Sequence, residues 1–161
     1  MKVERQKVVA SILKSNHFPI GMEMFSADNQ EQWKQIKAAI DTSDYYILIN
    51  KRRYGSLTKE KISYTEKEYN YAKSKGVPTL AFIVSDQAQL NIKDIETDSR
   101  KSKLLDKFIE RVKDSDPCDF WINEDHLCTL IEQALQKQFI RNPQRGWSRD
   151  LDMPLSLYSN E

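Results

Sequence analysis

Apolar residues recur at helical spacing near the start of the chain. Val8, Val9, Ile12 and Leu13 share one stripe of the segment 3–15, which predicts an amphipathic helix. Asn16-His17-Phe18-Pro19 breaks that period, and Ile20–Phe25 alternates weakly, predicting a strand with Glu23 at or near its carboxyl edge. Ser26 or Asp28 can cap the next helix, whose core face carries Trp33, Ile36 and Ile40. Tyr45–Ile49 is then an unbroken run of β-branched and aromatic residues, a buried strand ended by Asn50. After a basic loop, Ser63-Tyr64-Thr65-Glu66 has the spacing of a capping box, so a helix starts at Ser63, with Glu66 expected to reach back to the Ser63 amide. Gly76 closes the helix, Pro78 prevents its continuation, and Thr79–Val84 is the next strand. Residues 85–98 lack a period and read as loop. A helical stripe over 99–114 (Leu104, Leu105, Phe108, Ile109, Val112) follows. The break at Asp116-Pro117 leads to a short strand, Cys118–Ile122, and a closing helix, Glu124–Ile140.

Strand, helix and strand in this order make a βαβ unit, and such units bind ligands beyond the carboxyl ends of their strands. That edge carries Asn50 to Ser63 and the first turns of the following helix. Tyr64, Glu68, Tyr71, Ala72 and Lys75 share one face of this helix, which sets Glu68 beside an aromatic stripe near the helix N-terminus. The helix dipole favours a carboxylate there by about 0.3–1 kcal/mol. Spacing alone leaves two readings of Glu68 open: an ordinary first-turns glutamate, or the functional carboxylate. Lys51, Arg52 and Arg53 are either a solvated charge run or a phosphate clamp, since guanidinium forks match phosphate geometry. Gly55 would let the backbone approach a ligand closely. His17 reads as a turn residue. Cys118, His126 and Cys128 fit no zinc spacing, so neither a metal nor a cofactor is expected.

Composition narrows the partners. Lys+Arg 25 against Asp+Glu 24 gives a net charge of +1, so no global field draws the chain to nucleic acid or membrane. No apolar run approaches the ~20 residues of a membrane span. Two cysteines make no disulfide framework, which fits a reducing cytoplasm.

The runs HFPIGMEMF, EQWKQIKAAIDTSDYYILI and RYGS…SYTEKEYNYAKSKGVPTLAF, with the closing Pro143-Gln144-Arg145-Gly146-Trp147, resemble the family called domain of unknown function "forty sixty-two". The likeness spans Val3 to Arg149. That family is regarded as TIR-like, so the resemblance implies a three-layer, parallel-sheet, flavodoxin-like α/β domain over 1–149. About four strands and helices on both faces are expected, with 150–161 a mobile tail and Trp147 packed back on the domain. Relatives begin with one more strand, central in the sheet; here Met1-Lys2-Val3 already lies inside the first helix, so Ile20–Phe25 should lie beside Tyr45–Ile49, or another chain should fill the gap. The TIR pattern places Asn50 at the strand-end Ser and Tyr54 at its Tyr, while Tyr64 and Thr65 replace a Trp and a Cys. Glu68 falls on the glutamate of TIR NAD hydrolases and of nucleoside deoxyribosyltransferases. The resemblance therefore implies an N-glycosidase acting on NAD or a related nucleotide or nucleoside. Glu68 would be catalytic; Asn50, Arg53, Tyr54, Gly55, Ser63, Tyr64 and Glu23 would bind substrate. The rival reading is a non-catalytic interaction module, self-associating through the same surface.

Overall fold

The computed structural model describes residues 2–21 and 29–147. Its sheet has three strands, β1 (Tyr46–Asn50), β2 (Thr79–Val84) and β3 (Cys118–Trp121), all parallel and in the order β1-β2-β3. β2 is the middle strand and every one of its six residues is buried, which is why its sequence is a continuous apolar run without alternation. Helices α1 (Lys2–Lys14) and α5 (Glu124–Arg141) cover one face, where Val8 and Ile12 meet Leu80, Phe82, Trp121, Leu127 and Ile131. Helices α3 (Tyr64–Ser74) and α4 (Ser99–Ser115) cover the other, packing Tyr69, Leu105, Phe108 and Val112 on Leu48 and Ala81. Helix α2 (Asn29–Asp41) extends that layer past β1 by seating Ile36 and Ile40 against Ala72 of α3. The architecture is a three-layer α/β sandwich of the flavodoxin-like kind.

Most elements lie within a residue or two of where the pattern places them. β1 starts one residue later than Tyr45, where Tyr46 N–H donates to the Pro78 carbonyl at 2.9 Å. Four differences matter. The described residues contain three strands, not about four; Ile20 and Gly21 are in no strand, and the rest of Ile20–Phe25, like Ser26, Asp28 and the tail 150–161, lies outside the described residues. Of the expected α3 face, Glu68 and Ala72 are buried, but Tyr64 and Tyr71 are only half-buried and Lys75 is exposed, and Tyr69 is the third buried position instead. Tyr69 turns its ring to Phe108 and donates its hydroxyl to Asp116 at 2.6 Å, so a polar tip satisfied on α4 lets a tyrosine sit in the core. The 85–98 connection holds a turn of 3-10 helix, Ile92–Asp94, too short to leave a period. Trp147 is 76% exposed and does not pack back on the domain.

The first helix is fastened to the end of β1 by charge. Glu4, almost fully buried, accepts from Lys51, which also pairs with Asp94 at 3.2 Å. Burial is the largest single influence on Glu4 and opposes its charge, but the Lys51 hydrogen bond, backbone hydrogen bonding and further positive charge together outweigh it and hold the carboxyl down to about 2. A folded-state value below the ordinary 4.5 gives stability that is present above about 4.5 and lost as pH falls toward 2. Lys51→Met removes the ammonium from a buried carboxylate and should cost about 3–5 kcal/mol at pH 7. Urea denaturation at pH 7 and pH 4 checks this: the deficit should shrink at pH 4, where the variant's Glu4 takes up a proton.

Candidate functional site

Helix α3 brings the site together, so its start comes first. Ser63 has extended backbone (φ −71°, ψ 153°) and its Oγ accepts from the Glu66 N–H at 3.1 Å. The expected return bond is not made. The Glu66 carboxylate accepts instead from the Tyr54 hydroxyl and from Arg111 Nη2 at 2.6 Å. Arg111 in turn lies over the rings of Tyr69 and Phe108. Glu66 is thus a strut joining the 50–63 loop to α3 and α4, and a cap residue only through its backbone.

Glu68 sits half a turn further on and faces a different neighbourhood. It is 8% exposed, and the Tyr46 hydroxyl donates to its Oε2 at 3.5 Å. Burial pushes the carboxyl up to about 7, against the nearby Arg5 charge and the Tyr46 hydrogen bond, both of which favour the anion. The same burial, with Glu68 beside it, pushes the Tyr46 phenol well above its ordinary range. Glu68, Arg5 and Thr65 line a groove of about 830 Å³ that runs along the outer edge of β1. Val8, Val9 and Ile12 of α1 form one wall, Ile36, Ala39 and Ile40 of α2 the other, and Tyr45–Ile49 the floor. The helices of the two layers overhang an edge strand whose outer side has no paired strand among the described residues. A smaller cavity of about 310 Å³, at Lys73, Pro78, Asp116 and Asn142, lies at the amino ends of β2 and β3, away from Glu68.

The sequence model of the family described as Domain of unknown function (DUF4062) matches residues 1–136. The chain belongs to that family. No curated protein and no solved structure matches it. The matched stretch contains both helical walls of the groove, its floor and Glu68, while Phe139, Gly146 and Trp147, which also line it, lie beyond the match.

Of the described residues expected at the site, this DUF4062 domain brings Glu68 to the groove, and none of the others lines it. Tyr54 is 2% exposed, held by Glu66. Asn50 is buried at the end of β1; its Nδ2 donates to the Arg53 carbonyl at 3.4 Å and its Oδ1 has no partner among the described residues. Arg53 is exposed and donates to the Lys93 carbonyl at 2.8 Å, while Arg52 pairs with Asp86 and Lys51 with Glu4 and Asp94. The basic run is therefore largely spoken for by internal contacts. Gly55, at φ +91°, supplies a left-handed turn, and its carbonyl accepts from Lys101 at 3.1 Å. Ser63 is a buried cap, Tyr64 is half-buried outside the groove, and Glu23 lies outside the described residues. Arg5, Tyr46 and Thr65 were not signalled in advance. Arg5 reaches Glu68 only because α1 lies over the sheet, and Tyr46 reads in sequence as one more core aromatic. The described residues hold no group of three or more His, Cys, Asp or Glu able to bind a metal, and no helix long and apolar enough to cross a membrane.

A carboxyl at about 7 instead of its ordinary 4.5 binds its proton more tightly folded than unfolded. Stability then falls as pH rises from about 4.5 through 7, by on the order of 3 kcal/mol in all. Glu68→Gln keeps the shape and removes the buried charge. Calorimetry should find it more stable than the parent at pH 8 and level with it at pH 4.5. Equal melting temperatures at pH 8 would mean that the carboxylate is solvated and the groove wet at that point.

Proposed function

We propose that this chain is a TIR-like N-glycosidase acting on a nicotinamide dinucleotide or a related nucleotide or nucleoside, with Glu68 as the carboxylate that meets the ribosyl centre. The observation that carries the reading is the Glu68 carboxyl itself: buried, displaced to about 7, and open to a groove large enough for such a ligand. In the reaction the C1′–N bond breaks and its electron pair leaves with the base. Positive charge builds on C1′ and its ring oxygen, facing Glu68. Water then adds at C1′ and gives up a proton. A carboxylate drawn out of water faces that charge more strongly than a solvated one, because little screening lies between them. Arg5, on the same groove, is the cation best situated for a substrate phosphate; Arg53, turned toward Lys93, is less so.

One observation favours a second reading, a non-catalytic docking module. The groove is largely apolar, it follows an unpaired strand edge, and exposed Phe18, Ile20 and Trp147 rim it.

Incubation with NAD, NADP and nucleosides, followed by chromatography for a free base, separates the two. The glycosidase reading expects base release. Release should fall at least ~100-fold in Glu68→Gln, while Glu66→Gln should keep its turnover and lose about 1–3 kcal/mol of stability through its bonds to Tyr54 and Arg111. Equal losses in the two variants would defeat the role given to Glu68. No release from any substrate would favour the docking module.

A further inference from the structure

Glu68 is influenced from both faces of the sheet. Its own helix brings it to the groove, the Tyr46 hydroxyl reaches it from β1, and the Arg5 charge acts on it from α1 in the opposite layer. The Tyr46 end of this arrangement is rigid. Tyr46 is the first residue of β1, and its N–H donates to the Pro78 carbonyl at 2.9 Å. Its side chain packs against Ile36, Ile40 and Ala72 and also against the core group around Leu48 and Ala81. Burial and the neighbouring carboxylate push its phenol well above the ordinary range. The hydroxyl therefore keeps its proton wherever Glu68 titrates, and remains a donor throughout.

The other ionisable residues that line the groove are engaged elsewhere. Asp44 accepts from the Gly146 N–H at 3.1 Å, Tyr45 donates to the Asn142 carbonyl at 2.8 Å, and the His17 ring packs on Phe139 with centroids 4.5 Å apart. On α3 itself, Glu66 is held by Tyr54 and Arg111, and Lys67 pairs with Glu60 at 2.9 Å. Helix α2 presents Ile36, Ala39 and Ile40 to the groove and no charge among them. Tyr46 and Arg5 are thus the groups, among the described residues, that favour the Glu68 anion against its burial.

We infer that Tyr46 is the positioning residue of Glu68: its packed ring fixes where the carboxylate stands, and its hydroxyl helps to keep that carboxylate an anion. A glutamate side chain has three rotatable bonds and, unheld, samples several rotamers. A donor that cannot itself turn selects among them before substrate arrives, and a carboxylate already in place meets developing charge without reorganising. The separation of 3.5 Å is long for a bond between two oxygens; hydrogen bonds at catalytic groups commonly tighten once substrate is bound. What the anion then does at the ribosyl centre rests on the glycosidase reading given above. On that reading the two partners differ. Arg5 is taken by the substrate phosphate, and its own cation works against positive charge at C1′. Tyr46 carries no charge, and it is the partner that stays with Glu68 after the phosphate has bound.

Carbon-13 NMR of the Glu68 carboxyl in the full chain, assigned with Glu68→Gln, follows this group without substrate or turnover. Its midpoint should rise by ~0.5 pH units or more in Tyr46→Phe, which keeps the ring and its packing. Unchanged Leu80 and Phe82 amide shifts on β2 report an intact fold. In turnover, the acidic limb of the kcat/KM profile should move up with the midpoint. Tyr46→Phe should lower kcat ~10-fold with KM unchanged, and the loss should persist at pH 9, where the carboxyl is ionised in both proteins, because direction is lost as well as charge. Arg5→Gln should instead raise KM for phosphate-bearing substrates. An unmoved Glu68 midpoint in Tyr46→Phe overturns the inference, and so does a loss carried by KM alone. Full recovery of kcat at pH 9 would reduce Tyr46 to a charge partner and overturn its positioning role. If the parent releases no base, the glycosidase reading fails by itself, and the NMR midpoint still decides for or against Tyr46.

Discussion

A parallel sheet leaves neither face to water, and that requirement shapes the whole chain. β2 is buried at every position, so it needs helices above and below. The crossovers from β1 to β2 and from β2 to β3 supply α3 and α4, both on one face. The other face would remain bare without α1 and α5, which come from opposite ends of the chain and meet over Leu80 and Phe82. Covering both faces also produces the groove. Helices wide enough to shelter β1 extend past it, and an edge strand between overhanging helices becomes the floor of a trough.

Two glutamates show what that shelter does to charge. Glu4 and Glu68 are both buried, yet one carboxyl is held at about 2 and the other is pushed up to about 7. The difference is an ammonium in direct contact. Glu4 has Lys51, whereas Glu68 has a tyrosine hydroxyl at 3.5 Å and a guanidinium acting at longer range. The first arrangement is structural and gains from ionisation; the second holds a proton in reserve near neutrality. Position in a helix did not decide this outcome. What did was the strand or helix packed opposite.

Sequence patterning revealed the fold more fully than the site. The β2 limits, the Ser63 cap and the Gly76 stop were legible because each depends on residues adjacent in the chain. The rotation of α3 was not. Tyr69 looks like a surface residue until Asp116, far away in sequence, is brought up to accept its hydroxyl. Glu66 looked like half of a capping box for the same reason: its real partners, Tyr54 and Arg111, flank it only after the loop and α4 have closed on the helix. Glu68 was singled out from its spacing and from the family likeness. The groove beside it was not legible, because it is made by what stands on either side of β1, and no pattern within one segment reports that.

The packing of α1 on α5 carries a consequence for how the chain assembles. Lys7 pairs with Asp125 and Ser11 with Glu132, contacts separated by 118 and 121 residues. The strand and helix contacts between residues 46 and 84 are local by comparison and can form while α1 is still free. Closing so long a loop costs more entropy than closing a short one, and contacts of long sequence separation slow folding. Contacts of α1 with α5 are therefore expected to form late, and the departure of α1 would break no hydrogen bond of the sheet. Reversible departure of α1 would open one whole wall of the trough while the three strands stayed paired. The rate at which the core admits solvent is then set by one amphipathic helix and its few ionic ties, well before global unfolding.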